Sequence, residues 1–465
     1  MSLAWSPFKR IKNKFLRDTA TLQATGLINQ ASQILSTVLI ARILGAEGQG
    51  LFVSAIALQG LFYFLLNMGL TQATISQLAA AHARNNRVKV AGWLAFMAKC
   101  LILFGIVLAA TGWFILPAVG ELIFDFFEDG AGGHGHQIGI WAWLLCLQPI
   151  LEMPRIVAGV AFQGTRRMFA LGTMENGQEV TRLFLVILGA AITDSPQGAI
   201  IGYLGACLVG SVLAIDMYTR VREDDPGLLP SVREIWTGMR GIPIMRGLRL
   251  GIRVGLLKNG HSLFITVFPR LIIGGVAGMG WVAYFHIAQR IMQVPMMFTM
   301  GVTRTVLPAM SELAGLRDMK ALRRLFMKAA LITGSVVGGG IVIAIPIITP
   351  LVDRLFPEDY ADKVYVYYCI LALGYVPAAF ASCIESFYIT TNLVRWWIGL
   401  TIVGAIITIP TNVWLVLNVP YTGTAWGHSL YQSWVIIHCI FILIWFTRND
   451  ESHWDQESDP PKVAA

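Results

Sequence analysis

The chain reads as an all-α polytopic membrane protein of about twelve transmembrane helices, arranged as two six-helix lobes that repeat one another. Three observations predict this. Of its 465 residues, 55% are hydrophobic and only 13% charged, with a mean hydropathy of +0.63, too apolar for a soluble chain of this length. Apolar runs of the roughly 20 residues that a span requires recur along the whole chain. Finally, residues 25–50 align with residues 255–280 without a gap, matching Asn29 to Asn259, Ser32 to Ser262, Ile43 to Ile273, and Gly45, Gly48 and Gly50 to Gly275, Gly278 and Gly280. The repeated feature is a polar stripe inside an apolar span, followed by spaced glycines where that span ends. Parallel halves of this kind place a substrate between them.

The elements follow in order. Residues 1–21 carry Lys9, Arg10, Lys12, Lys14 and Arg17 and lead into a segment too long and too polar for a signal-peptide core, so they form a cytoplasmic N-terminal segment. Spans are expected at about 22–44, 50–72, 89–117, 138–161, 169–193 and 198–219, which make an N-lobe over 22–219. Glu223 to Gly227 breaks the sixth helix and opens a cytoplasmic linker, 220–249, in which Ile235 to Leu250 is expected to lie along the membrane surface. The C-lobe, 250–446, holds spans at about 250–274, 280–307, 328–352, 364–390, 395–418 and 423–446. Met310 to Lys328 is expected to be a second surface helix, and the polar tail, 447–465, to be cytoplasmic and disordered. Prolines at 149, 154, 269, 295, 308, 346, 350 and 377 fall inside spans, where they free backbone groups and kink helices.

Basic residues fix the expected orientation. With twelve spans and the N-terminus inside, 24 of the 35 Lys and Arg fall on the cytoplasmic side and only Arg354 and Lys363 outside. The outer loops are acidic instead, as the positive-inside rule demands. This sorting absorbs the net charge of +8, so no nucleic-acid partner is needed. All six cysteines sit in apolar segments without metal or disulfide spacing and read as packing residues. His134 and His136 lack further ligands, so no metal is expected.

Nine cations remain at membrane depth: Arg42, Lys99, Arg155, Arg182, Arg253, Lys258, Arg270, Arg290 and Arg304. Charges there face a bundle interior or a wet cavity, pair, or snorkel. Arg42, Arg253 and Arg304 lie near span ends and suit snorkelling. Glu152 precedes Arg155 by three residues, and Glu179 precedes Arg182 likewise, a helical spacing that permits ion pairs. Lys99, Lys258 and Arg290 have no such neighbour. The acids at depth are Glu152, Glu175, Glu179, Asp216 and Glu385, so cations outnumber them and an anionic guest is implied unless pairs such as Lys258 with Glu385 form between helices. Asn259, Ser262, Thr266 and Arg270 share one face of the seventh span, bordered by Lys258 and His261. Asn29, Gln33 and Ser36 repeat that face on the first span, and His286, Gln289, Arg290 and Gln293 extend it on the eighth. The expected outcome is one central cavity; polar packing between helices is the alternative.

The stretch Leu39-Ile-Ala-Arg-Ile-Leu-Gly-Ala-Glu-Gly-Gln-Gly-Leu-Phe52, followed by Asn67-Met-Gly-Leu-Thr71, resembles the N-terminal signature of the polysaccharide-transport branch of the MOP (MATE-like) exporters, which includes the Wzx-type flippases. The resemblance implies two lobes in a V around a cavity. It implies alternating access that moves a polyprenyl-diphosphate-linked oligosaccharide from the cytoplasmic to the periplasmic leaflet of the bacterial inner membrane, for O-antigen, exopolysaccharide or capsule. A glycan polymerase and a chain-length regulator would be partners. On this reading Lys258, Arg270, Arg290, Arg182 and Lys99 meet the diphosphate, and Asn29, Gln33, Asn259, Ser262, Thr266, His261 and His286 face sugar or line the cavity. Glu175, Glu179 and Glu385 are the ion-coupling candidates. No enzyme activity and no cofactor are expected, and the absence of a Walker-type loop argues against direct use of ATP. A MATE-like multidrug or cation antiporter would need acidic groups in its cavity, and a membrane glycan polymerase or glycosyltransferase would need catalytic carboxylates.

Overall fold

The computed structural model describes residues 6–66, 70–125, 133–224, 227–242, 267–315, 318–391 and 393–448, and among them every regular element is a helix. The first, Ser6–Leu66 (α1), continues from the N-terminal segment into the first span and breaks at Gly45, where φ is 66° and ψ is −174°. Only glycine adopts that conformation without strain. Gln49 Nε2 donates to the Thr37 carbonyl at 3.2 Å, whereas twelve residues of straight helix would hold the two about 18 Å apart. α1 is therefore a hairpin of two passes.

Next come α2 (Leu70–Ala83) and α3 (Arg87–Phe124), whose first turn is capped by the Asn86 side chain accepting from Lys89 N at 3.0 Å. The expected fourth span is a broken one: α4 (Gly135–Leu145) and α5 (Gln148–Leu151) meet α6 (Met153–Gly164) at a 47° bend beside Pro149 and Pro154. α7 (Met168–Thr193) and α8 (Pro196–Glu223) form an antiparallel hairpin closed by Asp194 at φ 47° and the Ser195 cap. At Gly202 a Cβ would stand 2.1 Å from the Leu185 carbonyl oxygen; its absence lets the two backbones touch and fixes the neighbouring Tyr203 against α7. After the linker come α10 (Phe268–Val276) and α11 (Met279–Gly315), separated by Gly278 at φ 95°. The aligned repeat thus turns at Gly45 in its first copy and at Gly278, the partner of Gly48, in its second.

The linker differs from expectation. Its helix, α9, is Val232–Gly238, shorter and starting earlier than Ile235 to Leu250, because Ser231 and Glu234 form a reciprocal capping box; residues 243–250 lie outside the described residues. α9 runs along α3. Glu234 accepts from Arg87 Nη2 at 2.9 Å, Gly238 abuts Ala95, and the Ile242 carbonyl accepts from Lys99 Nζ at 3.0 Å. The Glu234 carboxyl is held below its ordinary value of 4.5 by the Ser231 backbone N–H first, with Arg87 adding to it. A lowered folded value means its stabilisation is full above the ordinary value and lost as pH falls through the lowered one. The protection factors of the amides across 231–241, corrected for the intrinsic pH dependence of exchange, are expected to fall in that acidic window and to be pH-independent there in Glu234→Gln.

The remaining helices are α12 (Met319–Thr333), α13 (Gly339–Leu355), α14 (Tyr360–Phe380), α15 (Ile384–Thr390), α16 (Val394–Asn418), α17 (Gly423–Ser433) and α18 (Val435–Arg448). Among the described residues, Met310 to Lys328 is not one helix: α11 ends at Gly315 and α12 begins at Met319. Asp318 caps α12 by accepting from Ala321 N at 2.8 Å, so residues 319–328 open the ninth span, which continues through a π segment, Gly334–Gly338, into α13. α14 ends three residues after Pro377 and the chain resumes at Ile384. Phe326, Phe387, Tyr388 and Phe446 centre an aromatic core here.

Packing divides the chain into Met1–Arg290 with Asp353–Tyr360 and Ile291–Val352 with Ala361–Ala465, a boundary inside α11, whereas the linker at 220–249 divides it by chain order. Among the described residues seven helices are long and apolar enough to cross a membrane, and the bent pair makes an eighth. The hairpin of α1 adds a pass. α7 and α11 also have the length, α7 carrying Glu175, Glu179 and Arg182. With the seventh span only partly described, about twelve helices account for the chain. The six cysteines are free thiols, four of them buried.

Candidate functional site

Within the first unit, α1, α7, α8, α10 and α11 enclose a cavity of about 160 Å³. Its apolar walls are Ile40, Phe52, Val53, Ile56, Leu183 and Val186, and the rest of its lining is polar or charged. The first arm of α1 supplies Ser32, Gln33, Ser36 and Thr37 at helical spacing, and the hairpin at Gly45 brings Gln49 back beside them. α7 presents Glu179 and Arg182 one turn apart. Arg182 Nη2 donates to Glu179 Oε2, and its guanidinium lies 5.5 Å from the centroid of the Tyr203 ring, within reach of a cation–π contact.

α10 contributes Arg270, buried, whose Nη2 donates to Gln289 Oε1 at 3.2 Å. α11 contributes His286 and Arg290 one turn apart, and Arg290 Nη1 donates to Gln33 Oε1. His286 lies within electrostatic range of both Arg270 and Arg290, and Arg290 within range of Arg182 and Glu179. Among the described residues, three guanidinium groups therefore line one space with one carboxylate, Glu179, and that carboxylate is engaged by Arg182. Desolvated cations in excess repel one another and favour an anion between them. Planar guanidinium forks suit phosphate oxygens, and the amide and hydroxyl groups suit neutral polar hydroxyls.

Behind the cavity sits a second polar cluster. Glu152, 3% exposed, accepts from Arg155 Nη2 at 2.8 Å, Gln148 Nε2 at 3.2 Å, Gln178 Nε2 at 3.4 Å and Cys207 Sγ at 3.4 Å. Gln148 Nε2 also lies 3.2 Å from the Tyr203 hydroxyl, so the cluster backs the ring on which Arg182 rests. The expected Glu152–Arg155 and Glu179–Arg182 pairs both form, the first as structural support and the second in the cavity wall.

Of the residues expected to meet a diphosphate, Arg182, Arg270 and Arg290 come together in the cavity. Lys99 does not: its ammonium group anchors the linker at Ile242, because a carbonyl from a distant segment supplies the partner that its own helix lacks. Lys258 lies outside the described residues, as do Asn259, His261, Ser262 and Thr266. Gln33 and His286 line the cavity, whereas Asn29, one turn earlier on α1, is not among its lining residues. Of the ion-coupling candidates, Glu179 lines the cavity. Glu175 stands one turn before it on α7, outside the lining, and Glu385 belongs to the second unit, on α15. Arg42, expected to snorkel, donates to the Arg354 and Leu355 carbonyls at 2.9 and 2.7 Å, a favourable partner for a helix C-terminus. Ser32, Thr37, Gln49 and Tyr203 line the cavity without having been expected there. Gln49, one of two amides in an otherwise largely apolar pass, was the readable signal.

Comparison with known proteins places this architecture. The profile of the family described as "Polysaccharide biosynthesis protein" matches residues 15–314, and the MatE profile matches residues 261–414. Stage V sporulation protein B of Bacillus subtilis (strain 168) is 22% identical over 314 residues, covering 65% of this chain and 59% of that protein; the match thus spans under two thirds of the relative's length. Among solved structures, an inward-facing multidrug resistance MATE family transporter of the MOP superfamily superposes with a TM-score of 0.69 at 17% identity, over 90% of this chain and 95% of its own. The lipid II flippase MurJ, in an inward closed conformation, superposes with a TM-score of 0.64 at 13% identity, over 90% and 87%. The chain belongs to the polysaccharide biosynthesis protein family, is a multi-pass membrane protein by its apolar helices, and shares the fold of these solved transporters.

Proposed function

We propose that the protein carries a polyprenyl-diphosphate-linked oligosaccharide from the cytoplasmic to the periplasmic leaflet of the inner membrane, by alternating access of two lobes with both termini cytoplasmic. The observation that supports this most is the convergence of three guanidinium groups on one cavity whose lining, among the described residues, holds one carboxylate, itself paired with Arg182. A diphosphate is the charge that bars a lipid-linked sugar from hydrocarbon, and Arg182, Arg270 and Arg290 would replace its lost hydration. Gln33, Ser36 and Gln49 would exchange hydrogen bonds with the first sugar, while the lipid tail stays in the bilayer. Lys258 and the face Asn259, His261, Ser262 and Thr266 would extend the site along the seventh span, and Glu179, which holds Arg182, is the carboxylate best placed to couple an ion to substrate release. Among the described residues the one carboxylate in the lining is held by Arg182, which favours an anion over an organic cation as the guest.

The test is ligand-dependent thermal stabilisation of the purified protein. Polyprenyl diphosphate bearing a short oligosaccharide is expected to raise the unfolding temperature, while the uncharged polyprenol and the organic cation ethidium leave it unchanged. Stabilisation by ethidium and none by the diphosphate would reverse the assignment.

A further inference from the structure

A second cavity, of about 230 Å³, lies between α3, α6 and α8 and is roofed by the linker helix α9. Its lining differs from that of the first: Val157, Ala158, Ala214 and Ile235 are apolar, and Tyr218 turns its hydroxyl away to the Pro230 carbonyl at 2.8 Å. Nothing in it would satisfy a sugar or a phosphate. A hydrocarbon chain fits, because unfilled apolar space forfeits dispersion contacts.

Its place on the chain indicates where such a chain would come from. α3 is about 57 Å long at the helical rise, far longer than a ~30 Å hydrocarbon core, so its first turns, along which α9 lies, stand at headgroup level on the linker side. Trp236, 59% exposed, lines the mouth with its ring, a side chain suited to the membrane interface. Beside it on the linker are Arg233 and Arg240, both exposed and neither in an ion pair among the described residues. The neighbouring cation Arg87 is already engaged by Glu234. An apolar slot with two unengaged cations at its rim matches an anionic amphiphile.

We propose that this groove is a fixed site for one acyl chain of an anionic phospholipid, with the headgroup phosphate on Arg233 and Arg240 and the chain reaching down between α6 and α8 beneath Trp236. The bound lipid then forms part of the seat on which the linker rests.

The test uses the full chain in nanodiscs containing phosphatidylglycerol that bears a photoreactive diazirine near the end of one acyl chain. Adducts are expected on peptides from 153–164 and 206–220, which line the floor, in excess of those on the lipid-facing helix α16. Val232→Trp, at an exposed position on the roof, and Ala214→Phe, at the floor, should each lower that labelling about tenfold, roughly the loss of two buried methylene groups. Val232→Trp keeps the test decisive if the buried substitution fails to fold. Arg233→Gln with Arg240→Gln should abolish the preference over a phosphatidylcholine analogue. Undiminished labelling in Val232→Trp, or equal labelling by the zwitterionic analogue in the unaltered protein, would overturn the proposal. Displacement by polyprenyl phosphate but not by phosphatidylglycerol would overturn it also, assigning the groove to an isoprenoid tail.

Discussion

Arg290→Ala is expected to lower transport about 10- to 100-fold, the ratio carried by the ~1.5–3 kcal/mol of a hydrogen bond to a charged group, while leaving the fold intact. The second half of that expectation separates a binding role from a structural one. Arg290 shares its cavity with Arg182, Arg270 and His286, so deleting its charge relieves like-charge repulsion, and the unfolding temperature should hold or rise. Gln33, a hydrogen-bond partner of Arg290, is a neutral amide, which is not left as a stranded charge. Arg290→Lys should recover part of the loss, because it keeps the charge but not the bidentate fork. The measurement is restoration of surface glycan in a flippase-deficient strain, with membrane insertion quantified alongside. Full restoration by a correctly inserted Arg290→Ala protein would remove the cationic cavity from the mechanism.

Glu152→Ala should act in the opposite way, on stability first. Its carboxylate is nearly inaccessible and accepts from donors on four sides, including Arg155. Deleting it leaves that guanidinium facing orphaned amides, a loss of about 3–5 kcal/mol for breaking one partner of a buried pair. Glu152→Gln should lose less, since it keeps an acceptor in the same place. The double variant Glu152→Ala, Arg155→Ala should regain part of the deficit, because the stranded charge goes with its partner. Thermal unfolding in detergent reads all three. A Glu152→Ala protein as stable as the parent would mean that the cluster does not support the helices on which Arg182 and Tyr203 are carried.

What was legible in the chain divides along physical lines. Periodicity within one helix was readable, so the polar stripe of the first span and the pair His286 and Arg290 were found. The charge census found Arg182 and Arg270 because a cation at membrane depth is costly wherever it points. Partners from other segments were not readable. Lys99 looked equally costly, yet its partner is a carbonyl in the linker. Glu152 has neighbours at helical spacing in Arg155 and Gln148, whereas its remaining donors come from α7 and α8. Tyr203 gave no periodic signal, being set by the close approach that Gly202 allows. Span boundaries failed where a cap outweighed composition, as at Asp318, which makes a basic stretch the start of a span.

The unequal turning points of the repeat bear on how the two halves have diverged. Each copy keeps both glycines, at 45 and 48 and at 275 and 278, but the first turns at its earlier glycine and the second at its later one. The second copy's helix thus runs three residues further before reversing, about 4.5 Å of rise. Residues that align along the chain therefore stand at different depths relative to their turns. A glycine no longer needed for the reversal is free to take another task, and Gly275 has: a Cβ there would lie 2.3 Å from the Ile123 carbonyl oxygen. Equivalent glycines in the two copies thus perform different tasks, a turn at Gly45 and a close packing contact at its partner Gly275.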